Sequence, residues 1–102
     1  FVRPEYLRPE WTRDRIMAAI NAEGIPCFSG SCSEIYLERA FPPEWRPQDP
    51  LKVAHELGET SLMFPVHPTL MPEQIARICE AVRKVMLVAT DPTIINNNCK
   101  EI

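Results

Sequence analysis

The sequence predicts an α+β domain: a two-layer sandwich in which a small, mostly antiparallel sheet is covered by helices. Three observations predict it. Two segments carry apolar residues at helical spacing, each bounded by helix-ending signals. Short apolar runs lie between and before them, with Pro and Gly as punctuation. Two amphipathic helices need a partner face to cover, and a small sheet supplies one.

The elements follow in chain order. Residues 1–7 hold Phe1, Val2 and Tyr6, interrupted by Pro4, and read as the end of a strand entering a loop. Pro9 keeps that loop extended. A helix is expected from Thr12, a good N-cap, with Asp14 in its first turn where the dipole favours an acid. Ile16, Met17 and Ile20 share its apolar face, and Gly24 stops it. Residues 25–28 read as a short strand. Residues 29–33 are a small polar loop, and residues 34–41 a helical turn with Ile35, Tyr36, Leu37 and Phe41. Pro42, Pro43, Pro47 and Pro50 make an irregular connection. Asp49 and Pro50 are then expected as N-cap and first residue of a short helix with Leu51, Ala54 and Leu57, ended by Gly58. Residues 61–66 read as a strand reaching a sheet edge at Pro65. The strands at Phe1 and Leu62 are expected to form most of the sheet. The last helix opens at Pro72. Its face is Ile75, Ile78, Cys79, Val82, Val85, Met86 and Ala89, and Thr90-Asp91-Pro92 ends it. Residues 1–90 thus form one domain. Residues 91–102, with Asn96, Asn97 and Asn98, are expected to fray.

Composition narrows the function. With 102 residues there is chain for one domain. The 45% hydrophobic and 25% charged content is that of an ordered domain. A net charge of −3 argues against a nucleic-acid partner, which needs clustered basic residues. Arg13-Asp14-Arg15 alternates in sign and reads as a solvated helix face. No stretch is long and apolar enough for a membrane span. The chain opens at Phe1 with no initiator Met or signal peptide, which reads as a piece of a longer protein. Cys27, Cys32, Cys79 and Cys99 lack the rhythm of a disulfide scaffold, so reduced thiols and a cytoplasmic setting are expected.

Few residues point to chemistry. His55 and His67 are the only histidines, and neither has metal-ligand spacing to a second ligand. Cys27, Cys32 and His67 would have to converge from afar to bind a metal, and Cys79 reads as a small core residue. Cys32 lies in an open loop but has no base assigned to it by sequence. Glu34 and Glu38, four apart, can share a helix face, as surface carboxylates often do. The loop with Ser29, Gly30, Ser31, Cys32 and Ser33 offers several donors to an anionic or sugar ligand, although a plain turn explains the same composition. Ser29, Ser31, Cys32 and Glu34 are the candidate substrate contacts.

Several blocks together resemble one family. They are Phe1-Val2-Arg3-Pro4, the helix through Ile16 and Ile20 into Glu23-Gly24-Ile25-Pro26, and Ala54-His55-Glu56-Leu57-Gly58. Ser61-Leu62-Met63-Phe64-Pro65-Val66-His67-Pro68-Thr69-Leu70 and the final helix complete the pattern. In their order and spacing they resemble the C-terminal small domain of the DegT/DnrJ/EryC1/StrS sugar aminotransferases. The resemblance implies a fold-type-I enzyme that is usually a homodimer. It implies pyridoxal phosphate as cofactor, glutamate as the usual amino donor, and a nucleotide-linked keto sugar as substrate. It places the Schiff-base lysine and most cofactor contacts in an N-terminal cofactor domain of the same chain, so no cofactor is expected on these residues alone. Lys52 and Lys84 on polar helix faces and Lys100 in the tail agree with that. The His-Tyr pair and Pro-Leu-His that relatives carry after Gly-Ile are absent from residues 26–34. Dehydratases and regulators share the fold. A non-catalytic interaction or regulatory module on the same scaffold is the competing reading.

Overall fold

The computed structural model describes residues 1–30 and 32–94. Three α-helices carry the fold: α1 (Arg13–Ala22), α2 (Lys52–Thr60) and α3 (Pro72–Ala89), with single 3-10 turns at Pro4–Tyr6, Ile35–Leu37 and Pro43–Trp45. The local signals for α1 and α3 act as expected. The Thr12 side chain accepts from the Arg15 N–H, and Gly24 leaves α1 at φ +84°, which favours glycine. Pro72 opens α3, and the Gln74 side chain accepts from the Met71 N–H.

The predicted sheet is not there. Among the described residues 53% are helical and 4% lie in β pairing, confined to two isolated antiparallel bridges. One joins Leu7 to Thr90, the other Phe28 to Met63. The reason lies in where the backbone donors go. Phe28 and Met63 exchange both hydrogen bonds, at 2.9 and 2.7 Å. One residue before Phe28, the Asn21 side chain accepts from the Cys27 N–H and donates to the Cys27 carbonyl. That amide takes the place of a neighbouring strand. Pro26 and Pro65 have no N–H to extend the pairing on either chain. At the amino end Val2 donates one bond to the Thr60 carbonyl before Pro4 turns the chain into a 3-10 turn, so residues 1–7 do not lie along Leu62 as a strand. The architecture is a packed helix pair, α1 on α3, wrapped by extended segments.

The core sits between those helices. Ile16 and Ile20 of α1 are fully buried against Ala81, Val85 and Ala89 of α3, closed by Val2, Leu7, Ile25 and Cys27. Of the predicted apolar face of α3, Ile78, Val82, Val85, Met86 and Ala89 lie in or against this core. Ile75 and Cys79 are exposed, so Cys79 is not the core residue it was expected to be.

α2 also departs from expectation at both ends. It starts at Lys52, with Leu51 rather than Asp49 at its N-cap. The Leu51 N–H donates to the buried Tyr36 hydroxyl at 3.0 Å. It runs through Gly58 to Thr60, because Arg13 Nη1 donates to the Gly58 and Ser61 carbonyls, each at 3.0 Å. A cation on the final carbonyls stabilises a helix end that glycine would otherwise terminate. Arg13 is therefore no solvated surface residue: its side chain is 14% exposed. Arg15 instead stacks its guanidinium 4.7 Å from the Trp11 ring centroid. We expect Arg13→Ala to lower the unfolding free energy by about 1.5–3 kcal/mol, the usual range for charged hydrogen bonds. Arg13→Lys should recover only part of it, since an ammonium lacks the planar fork. Urea denaturation of the two variants measures both; equal stability of Arg13→Ala and the parent would refute the clamp.

Candidate functional site

The loop predicted to contact substrate lies along one face of α2. The contacts fall at positions 51, 55 and 58, spaced four and three apart, which is one helical face. At Leu51 the Tyr36 hydroxyl receives the backbone N–H. At His55 the imidazole Nδ1 lies 2.6 Å from Glu34 Oε1. At Gly58 the absence of a side chain admits Ser33: a Cβ built there would overlap Ser33 Oγ and lie 3.2 Å from its Cβ. The loop then doubles back through Gly30, at φ +83°, where a Cβ would meet Ser61 Oγ at 2.9 Å. The Ser61 hydroxyl donates to the Ser29 carbonyl at 2.6 Å.

Between loop and helix opens a cleft of about 420 Å³, lined by Ser29, Gly30, Cys32, Ser33, Glu34 and Glu38 on the loop side. Leu37 also borders it, and α2 contributes His55, Gly58 and Glu59. Three of the four expected site residues, Ser29, Cys32 and Glu34, thus converge on one cavity; Ser31 lies outside the described residues. The structure adds His55 and Glu59 to the lining, and Tyr36 as a donor to Glu34. His55 was visible in sequence only as a residue beside an apolar stripe. The usable signal was Gly58 itself, three residues after His55, since a glycine leaves a backbone open to close approach.

Glu34 is the centre of the arrangement. Its side chain is only 15% exposed and accepts from the Tyr36 hydroxyl at 2.6 Å while facing His55 at the same distance. The Tyr36 hydrogen bond and then the His55 hydrogen bond hold its carboxyl below the usual 4.5. The same carboxylate, by hydrogen bond and by charge, raises His55 above 6.5 and Tyr36 above 10.0. At neutral pH Glu34 is an anion able to accept from a ligand hydroxyl. Cys32 Sγ donates to Glu38 Oε1 at 3.2 Å, and that bond raises the thiol above 9.0. A thiol held protonated is the weaker nucleophile.

The remaining sequence candidates are scattered. Cys27 is buried in the core, where desolvation raises its thiol. His67 meets the Thr69 hydroxyl at 2.6 Å and does not line the cleft that Cys32 borders. No cluster of three metal-ligating side chains occurs among the described residues. Cys99 and Lys100 lie outside them. No helix among the described residues is long and apolar enough to cross a membrane.

Pyridoxal phosphate, which the family resemblance implies, needs a desolvated amine to form an imine. Lys52 is exposed, and Lys84 Nζ is paired with Glu23 at 2.6 Å. The described residues do not fit that cofactor.

No family profile matches the sequence, and no curated protein matches it significantly. Among solved structures, the chain is similar to the aminotransferase from Psychrobacter cryohalolentis, with 54% sequence identity and a TM-score of 0.74. The match covers 79% of this chain and 21% of that enzyme, so the chain spans about a fifth of the length of the protein it resembles. By sequence and fold, this chain is related to part of an aminotransferase.

Proposed function

We propose that this chain is the C-terminal small domain of a pyridoxal-phosphate-dependent aminotransferase of the DegT/DnrJ/EryC1/StrS family, acting on a nucleotide-linked keto sugar in the cytoplasm. The observation that carries this reading is the 54% identity to an aminotransferase of which the chain spans only 21%. Alone it is inactive. The cofactor, its lysine and the reacting atoms belong to an N-terminal cofactor domain of the same chain, and the parent enzyme is a homodimer. The contribution of these residues is binding and orientation. Glu34 offers a fixed anionic acceptor, and Ser29 and Ser33 lie beside it in the cleft. Ser31, the remaining candidate contact, lies outside the described residues. A second cleft of about 390 Å³ is predominantly apolar and lined by Phe1, Tyr6, Leu62, Phe64, Val82 and Met86. An apolar opening of this kind suits coverage by another domain.

A hybrid enzyme tests the proposal. The matched fifth of the Psychrobacter aminotransferase is replaced by this chain, and cofactor absorbance and transamination of that enzyme's own substrates are measured. We expect the hybrid to bind cofactor and turn over, while the isolated chain with added pyridoxal phosphate and glutamate does neither. Turnover by the isolated chain would refute its dependence on a second domain. A hybrid that folds and binds cofactor yet shows no turnover would refute the functional assignment.

A further inference from the structure

The loop side of the cleft is held to α2 by a small number of polar contacts, and one of them is made by a histidine. Tyr36 is the pivot: its hydroxyl donates to Glu34 and accepts from the Leu51 N–H at the start of α2. Glu34 passes the connection on to His55, one turn along the same helix. Residues 34, 36, 51 and 55 therefore form a closed circuit, sealed further along by the seat of Ser33 on Gly58. Three of the four residues are fixed. Tyr36 is buried, Glu34 is nearly so, and the Leu51 donor is backbone. His55 is the one open to water, with its side chain 61% exposed.

We infer that His55 is a pH-dependent latch: as the imidazolium it clamps Glu34 and Tyr36 onto α2 and orders the wall of the cleft, and as the neutral ring it leaves that wall looser. A charge-assisted hydrogen bond is roughly twice as strong as a neutral one. Loss of the proton therefore weakens the Glu34 contact without abolishing it, because a neutral ring protonated at Nδ1 still donates. The titratable groups acting on the ring are Glu34 from the loop and Glu59 from its own helix, and Tyr36 meets the far oxygen of Glu34. Cys32 and Glu38 stand across the cleft. No Lys or Arg lines that cleft among the described residues, so no cation there opposes the imidazolium.

The sign follows from the shifts. His55 is raised above 6.5, so its contribution is full below 6.5 and is lost as pH rises through its higher folded value. Glu34 is depressed below 4.5, so its contribution is present above 4.5 and is lost as pH falls through its lower folded value. The latch is closed between about 4.5 and 6.5 and opens on the alkaline side. The latch concerns the order of the wall and stands apart from any ligand; that it also tunes substrate affinity rests on the function proposed above.

Nuclear magnetic resonance of this chain tests it. The His55 ring protons report its titration, and the Leu51 amide reports the wall by hydrogen exchange, each rate divided by the intrinsic rate at that pH. We expect His55 to titrate above 6.5, and the Leu51 protection factor to fall several-fold across that same titration. His55→Gln keeps a donor without a titrating proton, so protection should persist and become flat with pH. Glu34→Gln should return His55 toward 6.5. A His55 that titrates at or below 6.5 in the unsubstituted chain overturns the inference. So does a Leu51 protection factor that ignores the titration, or one that keeps its pH dependence in His55→Gln. All readouts are independent of turnover, so failure of the latch and failure of the aminotransferase reading are told apart.

Discussion

Replacing Ile20 by Ala should lower the unfolding free energy by about 2–5 kcal/mol, the usual cost of truncating a buried aliphatic side chain. Ile20 has no exposed surface and sits in the core cluster with Ile16, Ile25, Cys27 and Val85. Two effects add. The apolar atoms lose their transfer free energy, and a void remains where they packed. Collapse into that void is hindered here. The next residues, Glu23 and Gly24, complete the end of α1, and the Ile25 N–H is bonded to the Ile20 carbonyl itself. Ile20→Val should cost about 0.5–1.5 kcal/mol. An exposed change on the same helix, Ala18→Ser, should stay within about 0.5 kcal/mol. Urea midpoints at constant m-value measure all three. A loss below 1 kcal/mol for Ile20→Ala would mean that α1 does not pack on α3 as described.

Gly58→Ala is the second large effect, and its sign is the informative part. In the interior of a solvent-facing helix, Gly to Ala stabilises by roughly 0.5–1 kcal/mol. At Gly58 the new methyl would overlap the Ser33 hydroxyl, with the Ser33 Cβ 3.2 Å away. Rotating the hydroxyl relieves only the first contact. The loop has to lift from the helix, at an overpacking cost of about 1–3 kcal/mol. The variant should therefore be less stable than the parent despite its better helix propensity. Removing the obstruction should restore the expected gain, so Gly58→Ala combined with Ser33→Gly should be more stable than Ser33→Gly alone. This double-mutant cycle separates contact from propensity. The lifted loop should also free His55 from Glu34, and the imidazole should titrate closer to 6.5 in Gly58→Ala. A stabilising Gly58→Ala in the otherwise unchanged chain would refute the seat of the loop on α2.

Much of the fold was legible from local signals. Thr12, Gly24 and Pro72 mark helix ends by chemistry within a few residues of themselves, and the spacing of Ile16 and Ile20 finds the core face without knowledge of the partner. The turn at Ile35–Leu37 and the irregular stretch after Pro42 were read the same way. The loop with Ser29, Cys32 and Glu34 was identifiable by its short polar side chains, and these do line a cleft. The aminotransferase relationship was legible in the order of the blocks, and is supported by an independent likeness at 54% identity.

What failed depended on distant partners. A sheet was expected because short apolar runs favour strands. Asn21 instead occupies the backbone of Cys27, and the prolines at 26 and 65 withhold donors, so pairing stops at one bridge. α2 was expected to begin at Pro50, capped by Asp49, and to end at Gly58. Tyr36 and Arg13, 15 and 45 positions away from Leu51 and Gly58, moved both ends. The circuit of Glu34, Tyr36, Leu51 and His55 joins residues up to 21 positions apart. Periodicity reports which face of a helix is apolar; it does not report which loop lies along the next face. Local chemistry decided where α1 and α3 form and what they bury. Packing decided the absence of the sheet, the length of α2 and the company His55 keeps, because each rests on a hydrogen bond or a close approach between segments that only the folded chain brings together.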